Sequence, residues 1–160
     1  MILVLWLTIG LVSGANQRRT SAKLMIRETD AKLLYKEESY IIQGGAFEVY
    51  KQFRNRHKEK IYGRALVEYY KSKGLVVETE KQIPIYFQGK KVGIYIPDII
   101  INNTIFIELK CKPFITQEDK KQFWYYLKCT DYKVGYLINF GAGDGVQIIR
   151  RVYDTARDKK

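Results

Sequence analysis

The chain has 160 residues, within the range of roughly 100–200 expected of one domain, and 46% of them are hydrophobic, which excludes wholesale disorder. Lys and Arg number 28 against 17 acidic residues, a formal net charge of +11. A field of that sign attracts polyanions, of which nucleic acid is the commonest in a cell, although a basic surface also serves solubility alone. Cys111, Cys129 and the single histidine, His57, make neither a disulfide framework nor a zinc site. Any metal must then be held by oxygen, which selects Mg²⁺ or Mn²⁺.

Met1 to Ala15 is almost wholly apolar and does not match the rest of the chain. It is too short for a membrane span, which needs about 20 apolar residues. Ser13-Gly14-Ala15 resembles a signal cleavage site, but no Lys or Arg precedes the apolar run and Arg18-Arg19 follow it. Of the three readings (signal, tether, misplaced start codon) we prefer a true start at Met25. Residues 1–24 are therefore set apart from the fold, 25–154 form the domain, and 155–160 are a charged tail.

A helical pattern begins at Thr29, with Ile42, Ala46, Val49 and Phe53 on one face. The Gly44-Gly45 pair costs this helix roughly 1 kcal/mol per Gly against Ala, which implies close packing against another element. After Arg54-Asn55-Arg56, a second helix spans His57 to Lys73 with Tyr62, Leu66, Tyr69 and Tyr70 on one side, and Gly74 stops it. Strands are expected at Leu75–Phe87, Val92–Ile101 and Ile105–Lys110, with turns at Gln88-Gly89-Lys90 and Asn102-Asn103-Thr104. Thr116 and Asp119 make a capping box for a third helix carrying Phe123, Trp124 and Leu127. Strands at Val134–Phe140 and Val146–Val152 close the pattern. The Gly141–Gly145 loop leads into a strand, not a helix N-terminus, so it reads as a turn rather than a phosphate cradle. One α/β domain with a mixed sheet accounts for this order.

Alternation along Ile105–Lys110 places Ile105, Ile107 and Leu109 on one face and Glu108 and Lys110 on the other. Upstream, Asp98 follows Pro97 between two Ile-rich runs, where a charge is expensive unless paired or metal-bound. Two carboxylates and an ammonium in one place suit metal-assisted phosphodiester hydrolysis. A two-residue turn at Asn102-Asn103 would put Asp98 opposite Ile107, on the wrong face. A three-residue connection, Asn102 to Thr104, pairs Ile101 with Ile105 and brings Asp98 opposite Glu108; a bulge at Pro97 would serve as well. Duller roles exist for each residue. Glu108 and Lys110 make a surface ion pair in one such reading, Asp98 a turn residue. Glu59, flanked by Lys58 and Lys60, is then a solvated helix charge, with Glu48 as its alternative, and Gln122 an exposed helix residue.

Pro97-Asp98, nine intervening residues and Glu108-Leu109-Lys110 resemble the signature of the PD-(D/E)XK nuclease superfamily. Within it, Glu59-Lys60-Ile61-Tyr62 resembles the motif of the GxxExxY family. Gly44 to Tyr50 is similar to that family's opening helix, Gln122 with Tyr126-Leu127 to its later helix, and Gly135 to Gly141 to its closing strand. The likeness spans about residues 33–152. It departs at Arg56, where a glycine is expected, and at Asp119, where a histidine is frequent. The resemblance implies a restriction-endonuclease-like αβββαβ core, a mixed central sheet flanked by helices, and a Mg²⁺- or Mn²⁺-dependent endonuclease. It implies Asp98, Glu108 and the Leu109 carbonyl as metal ligands and Lys110 as the group that orients or activates water. Glu59 completes the acidic cluster and Gln122 lines the site. The expected partner is nucleic acid, DNA before RNA, with no small-molecule cofactor, no membrane, and room for a homodimer; the expected place is the cytoplasm, or outside it or at a membrane if residues 1–15 are a real signal. The alternative is a catalytically inactive nucleic-acid-binding module of the same fold.

Overall fold

The computed structural model describes residues 33–153. The expected leader at 1–24, the helical start at Thr29 and the tail at 155–160 lie outside them. Helix α1 runs Lys36–Phe53 and α2 Glu59–Ser72. Strands follow at Val77–Glu78 (β1), Ile83–Phe87 (β2), Lys90–Tyr95 (β3), Ile99–Ile101 (β4) and Ile105–Lys110 (β5). Helix α3 spans Gln117–Cys129, and β6 (Val134–Asn139) and β7 (Gln147–Val152) complete the chain. A five-stranded sheet has the order β1-β4-β5-β6-β7, antiparallel except where β5 pairs with β6 in parallel. The parallel pair is what a strand–helix–strand crossover through α3 requires. Among the described residues β2 and β3 pair only with each other.

Two expected strands are therefore each divided. Leu75–Phe87 breaks at Glu80, which has a left-handed φ of 59°, and its halves enter different sheets. Val92–Ile101 breaks at Pro97, which has no N–H to give to a ladder. Its first half pairs with β2 and its second with β1 and β5.

Alternation sorts the core into two layers. On one side Tyr70, Tyr62 and Leu66 of α2 and Ile42, Ala46 and Val49 of α1 are buried. The Tyr70 hydroxyl donates to the Ile42 carbonyl (3.1 Å), and the Tyr62 ring stacks on Phe140 at 4.5 Å. On the other side Ile100, Phe106 and Leu137 meet Phe123 and Leu127 of α3 together with Tyr95 and Tyr132. Gly135 is what lets Phe106 and Phe123 close over β6: a Cβ there would lie 2.8 Å and 2.9 Å from their rings.

The helix ends follow the sequence closely. Gly74, at φ 81°, closes α2 with Gly74 N–H to Lys71 and Leu75 N–H to Tyr70, the paired bonds of a left-handed helix stop. At α3, the Asp119 N–H donates to Thr116 Oγ1 (3.1 Å) while the Thr116 N–H donates to Asp119 Oδ2 (2.8 Å), so the capping box is complete.

The glycine pair on α1 answers to α2. A Cβ on Gly45 would stand 2.6 Å from the Tyr70 ring and 2.7 Å from Tyr69, whereas one on Gly44 would meet only the Tyr69 hydroxyl at 3.5 Å. Gly45→Ala should thus lower stability in urea denaturation by about 1–3 kcal/mol despite alanine's better helix propensity. Gly44→Ala should be neutral or stabilising by up to about 1 kcal/mol.

Candidate active site

The connection after β4 decides where Asp98 falls. Asn102 and Asn103 both take left-handed conformations, φ 49° and 52°, and the Thr104 N–H returns to the Ile101 carbonyl at 3.0 Å. Asparagine tolerates that region better than most residues. The result is the three-residue connection, with Ile101 opposite Ile105 and Ile99 opposite Ile107. Continued by one residue, this register sets Asp98 level with Glu108. The ladder stops at Ile99, and the Asp98 carboxylate then takes the place of a backbone acceptor, accepting from the Leu109 N–H at 2.6 Å.

Glu108 is held from two sides. Its Oε1 accepts from Lys110 Nζ (2.9 Å) and its Oε2 from the Tyr95 hydroxyl (2.8 Å). The Glu108 and Lys110 side chains keep only 16% and 19% of their exposure, so this is not the open surface pair of the duller reading. Tyr95 is fixed in turn by Tyr126 of α3, stacked on it at 3.7 Å. Gln122 lies on α3. It is exposed and donates to the Tyr126 hydroxyl at 3.4 Å, one ring stack away from Tyr95. Glu59 begins α2, close enough to sense Lys110, Glu108 and Lys112. Glu48 is exposed on α1.

The charges bear on one another as a cluster. Burial, then the charges of Glu108 and Glu59, push the Asp98 carboxyl up to about 6 against the pull of the Leu109 N–H and Lys110. Burial also raises Glu59, with Glu108 adding to it. Lys110 is lowered by burial but raised further by Glu108, Glu59 and Asp98, so it stands above its ordinary value and remains an ammonium. Two residues on, Lys112 Nζ donates to both carboxylate oxygens of Asp119 (2.8 and 2.9 Å). Those bonds and the Thr116 donors outweigh burial and hold the Asp119 carboxyl at about 2.

The sequence reading missed Tyr95 and Lys112. Tyr95 was hidden in a strand taken to be continuous; Pro97 was the signal that the run breaks and that Tyr95 belongs to another sheet. Lys112 continues the alternation of Glu108 and Lys110. Asn139, wholly buried, secures the segment after Lys110. Its Oδ1 accepts from the Lys112 and Gly141 N–H groups and its Nδ2 donates to the Lys112 carbonyl and Gln147 Oε1.

A cleft of about 560 Å³ opens beside Asp98, lined by Glu59, Gly63 and Arg64 of α2, by Ile96 and Pro97, and by Leu109. Among the described residues no three His, Cys, Asp or Glu side chains stand close enough to cage a cation by themselves. The donor set instead suits a Mg²⁺-like ion, which is commonly bound by one or two carboxylates and keeps several waters. Mutually repelling carboxylates, whose repulsion helps raise the Asp98 carboxyl, are short of positive charge, and such an ion would supply it.

Two acids and a lysine thus stand together at the ends of neighbouring strands, with the cleft beside Asp98. The family model of the PD-(D/E)XK nuclease superfamily matches residues 36–152, and the chain belongs to that superfamily. Among solved structures it is similar to an alkaline exonuclease (LHK-Exo) from Laribacter hongkongensis, at 16% identity and a TM-score of 0.43, over 93% of this chain and 75% of that one. The complex of LHK-Exo with dAMP is similar at 16% identity and a TM-score of 0.44, over 91% and 73%. No curated protein matches the chain.

Two measurements test this geometry. Tyr95→Phe keeps the stack on Tyr126 and removes one donor to Glu108, so it should cost about 1 kcal/mol in urea denaturation. Asp98 binds its proton more tightly folded than unfolded, so its contribution to stability is full below about pH 4 and is lost as pH rises through about 6. In chelator, Asp98→Asn should therefore stabilise the protein at pH 8 by about 1–2 kcal/mol, allowing for the open part of the carboxyl, and do little at pH 4.

Proposed function

We propose that this protein is a divalent-metal-dependent endonuclease of the GxxExxY family, cutting DNA in preference to RNA. The observation that carries the reading is the convergence of Asp98, Glu108 and Lys110 through the Asp98–Leu109 and Lys110–Glu108 hydrogen bonds. A module that only binds nucleic acid gains nothing from carboxylates facing phosphate, since they repel it. The working domain is taken as residues 25–154. No helix among the described residues is long and apolar enough to cross a membrane.

Asp98, Glu108 and the Leu109 carbonyl would hold Mg²⁺ or Mn²⁺, with Glu59 completing the negative charge around it. When bound, the ion supplies charge neutralisation on the phosphoryl group and acidifies a water. Lys110 stays charged, so its part is to donate a hydrogen bond to the attacking water and to offset the phosphate's charge, rather than to accept a proton. Tyr95 and Lys110 keep Glu108 in one orientation, which removes a rearrangement from the reaction. Gln122 supports the site through Tyr126 and Tyr95 from the rim of α3. The net charge of +11 would draw in the phosphate backbone, with binding that weakens steeply as salt rises.

The full-length protein, given single- and double-stranded DNA and RNA with Mg²⁺, Mn²⁺ or chelator, should cut DNA only with the metal. Asp98→Ala should lose on the order of 100-fold or more in rate, at least the loss that outer partners of metal sites produce. It should also lose the rise in melting temperature that either ion gives the wild type. Salt-sensitive binding with no cutting under any of these conditions would replace this reading with the inactive binding module.

A further inference from the structure

The β2–β3 hairpin has no partner strand in the main sheet. Ile83 and Ile85 pack on the α3-side core and Tyr95 is buried in it, so the hairpin is anchored along one side. Its far end is built differently. Tyr86 and Phe87 are 62% and 64% exposed, and Val92 and Ile94 are exposed beside them. Consecutive on β2, the two rings project from opposite faces of the hairpin tip, and exposed apolar groups gathered in this way mark an interaction site. Lys91 lies across the ladder from Tyr86 and Lys90 across from Phe87, so each ring shares its face of the ladder with a lysine. Residues 83–96 include no Asp or Glu. The turn that follows Phe87 is a tight two-residue one, with φ 48° at Gln88 and 76° at Gly89, which holds Lys90 across from Phe87.

We propose that this hairpin grips a single strand of the nucleic acid that the site cuts, with bases stacked on Tyr86 and Phe87 and phosphates paired with Lys90 and Lys91. The proposal rests on the nuclease reading and deepens it. Flat apolar rings alternating with cations, with no acid nearby, match a ligand that alternates flat bases with anions. Continuity with the site argues for the same occupant: β3 ends on Tyr95, whose hydroxyl holds Glu108, and Asp98 follows three residues later. From Lys91 to Tyr95 the strand rises about 13 Å at roughly 3.3 Å per residue. That is about four bases at 3.4 Å per stacked base. The grip therefore lies about four stacked bases along β3 from Tyr95, which holds Glu108.

The test is fluorescence anisotropy of the full-length protein with a labelled 20-residue oligothymidylate, in chelator and over a range of salt, beside cleavage of the same strand in Mg²⁺. The Tyr86→Ala/Phe87→Ala variant should bind about 10–100-fold more weakly, with an unchanged salt slope. The Lys90→Gln/Lys91→Gln variant should flatten the log–log salt slope by about 1.4, two single-strand phosphate contacts. Both variants alter exposed side chains, and matching melting curves would establish that they fold. Wild-type cleavage with both variants binding like the wild type overturns the hairpin proposal and leaves the nuclease standing. Binding that needs the hairpin, without any cleavage, supports the grip and overturns the nuclease. A wild type that neither binds nor cuts overturns both.

Discussion

The bond from the Leu109 N–H to the Asp98 carboxylate is the constraint on which the rest of the site hangs. It forms because β4 ends at Ile99, one residue short of covering its neighbour, and a side chain completes the ladder where the backbone turns away. A carboxylate used in this way is fixed in position but left partly desolvated and close to Glu108 and Glu59, which raises its proton affinity. The interaction that builds the sheet is therefore also the one that concentrates negative charge beside the cleft.

Around that bond the supports come from every layer. Tyr95 reaches Glu108 from the separate hairpin, Tyr126 braces Tyr95 from α3, and Asn139 pins the backbone of Lys112 from the end of β6. Gly141 has to be a glycine for the same reason, since a Cβ there would run into the Lys112 backbone. Side chains held by packing on three different elements lose little further freedom when a substrate arrives, so more of the binding energy is left for the reaction.

Much of this was legible in the sequence, and the parts that were not share one cause. Helix faces, caps and the stop at Gly74 are local patterns, and the register of β4 on β5 followed from counting residues between Ile101 and Ile105. The pairing of Asp98 with Glu108 could be read because both lie within one short connection. Tyr95 and the true surroundings of Gln122 could not, because they depend on which sheet a strand joins. Ile94, Tyr95 and Ile96 look like the start of the strand that ends at Ile101; only Pro97 hints that the first part leaves. The division of Leu75–Phe87 had its own marker in the polar run Glu78-Thr79-Glu80-Lys81-Gln82, which breaks the alternation, whereas the left-handed glutamate within it is set by the fold around it and not by its own preference.

The separation of the β2–β3 hairpin from the five-stranded sheet has an evolutionary consequence. Adding or deleting a cross-strand pair near Gln88-Gly89 would lengthen or shorten the hairpin by about 3.3 Å without altering the pairing of Ile101 with Ile105. Descendants of this chain can accordingly change their outer contour by small insertions while inheriting the cluster of Asp98, Glu108 and Lys110 unaltered. Indels in related sequences should gather between Phe87 and Lys90 and be purged between Asp98 and Lys110.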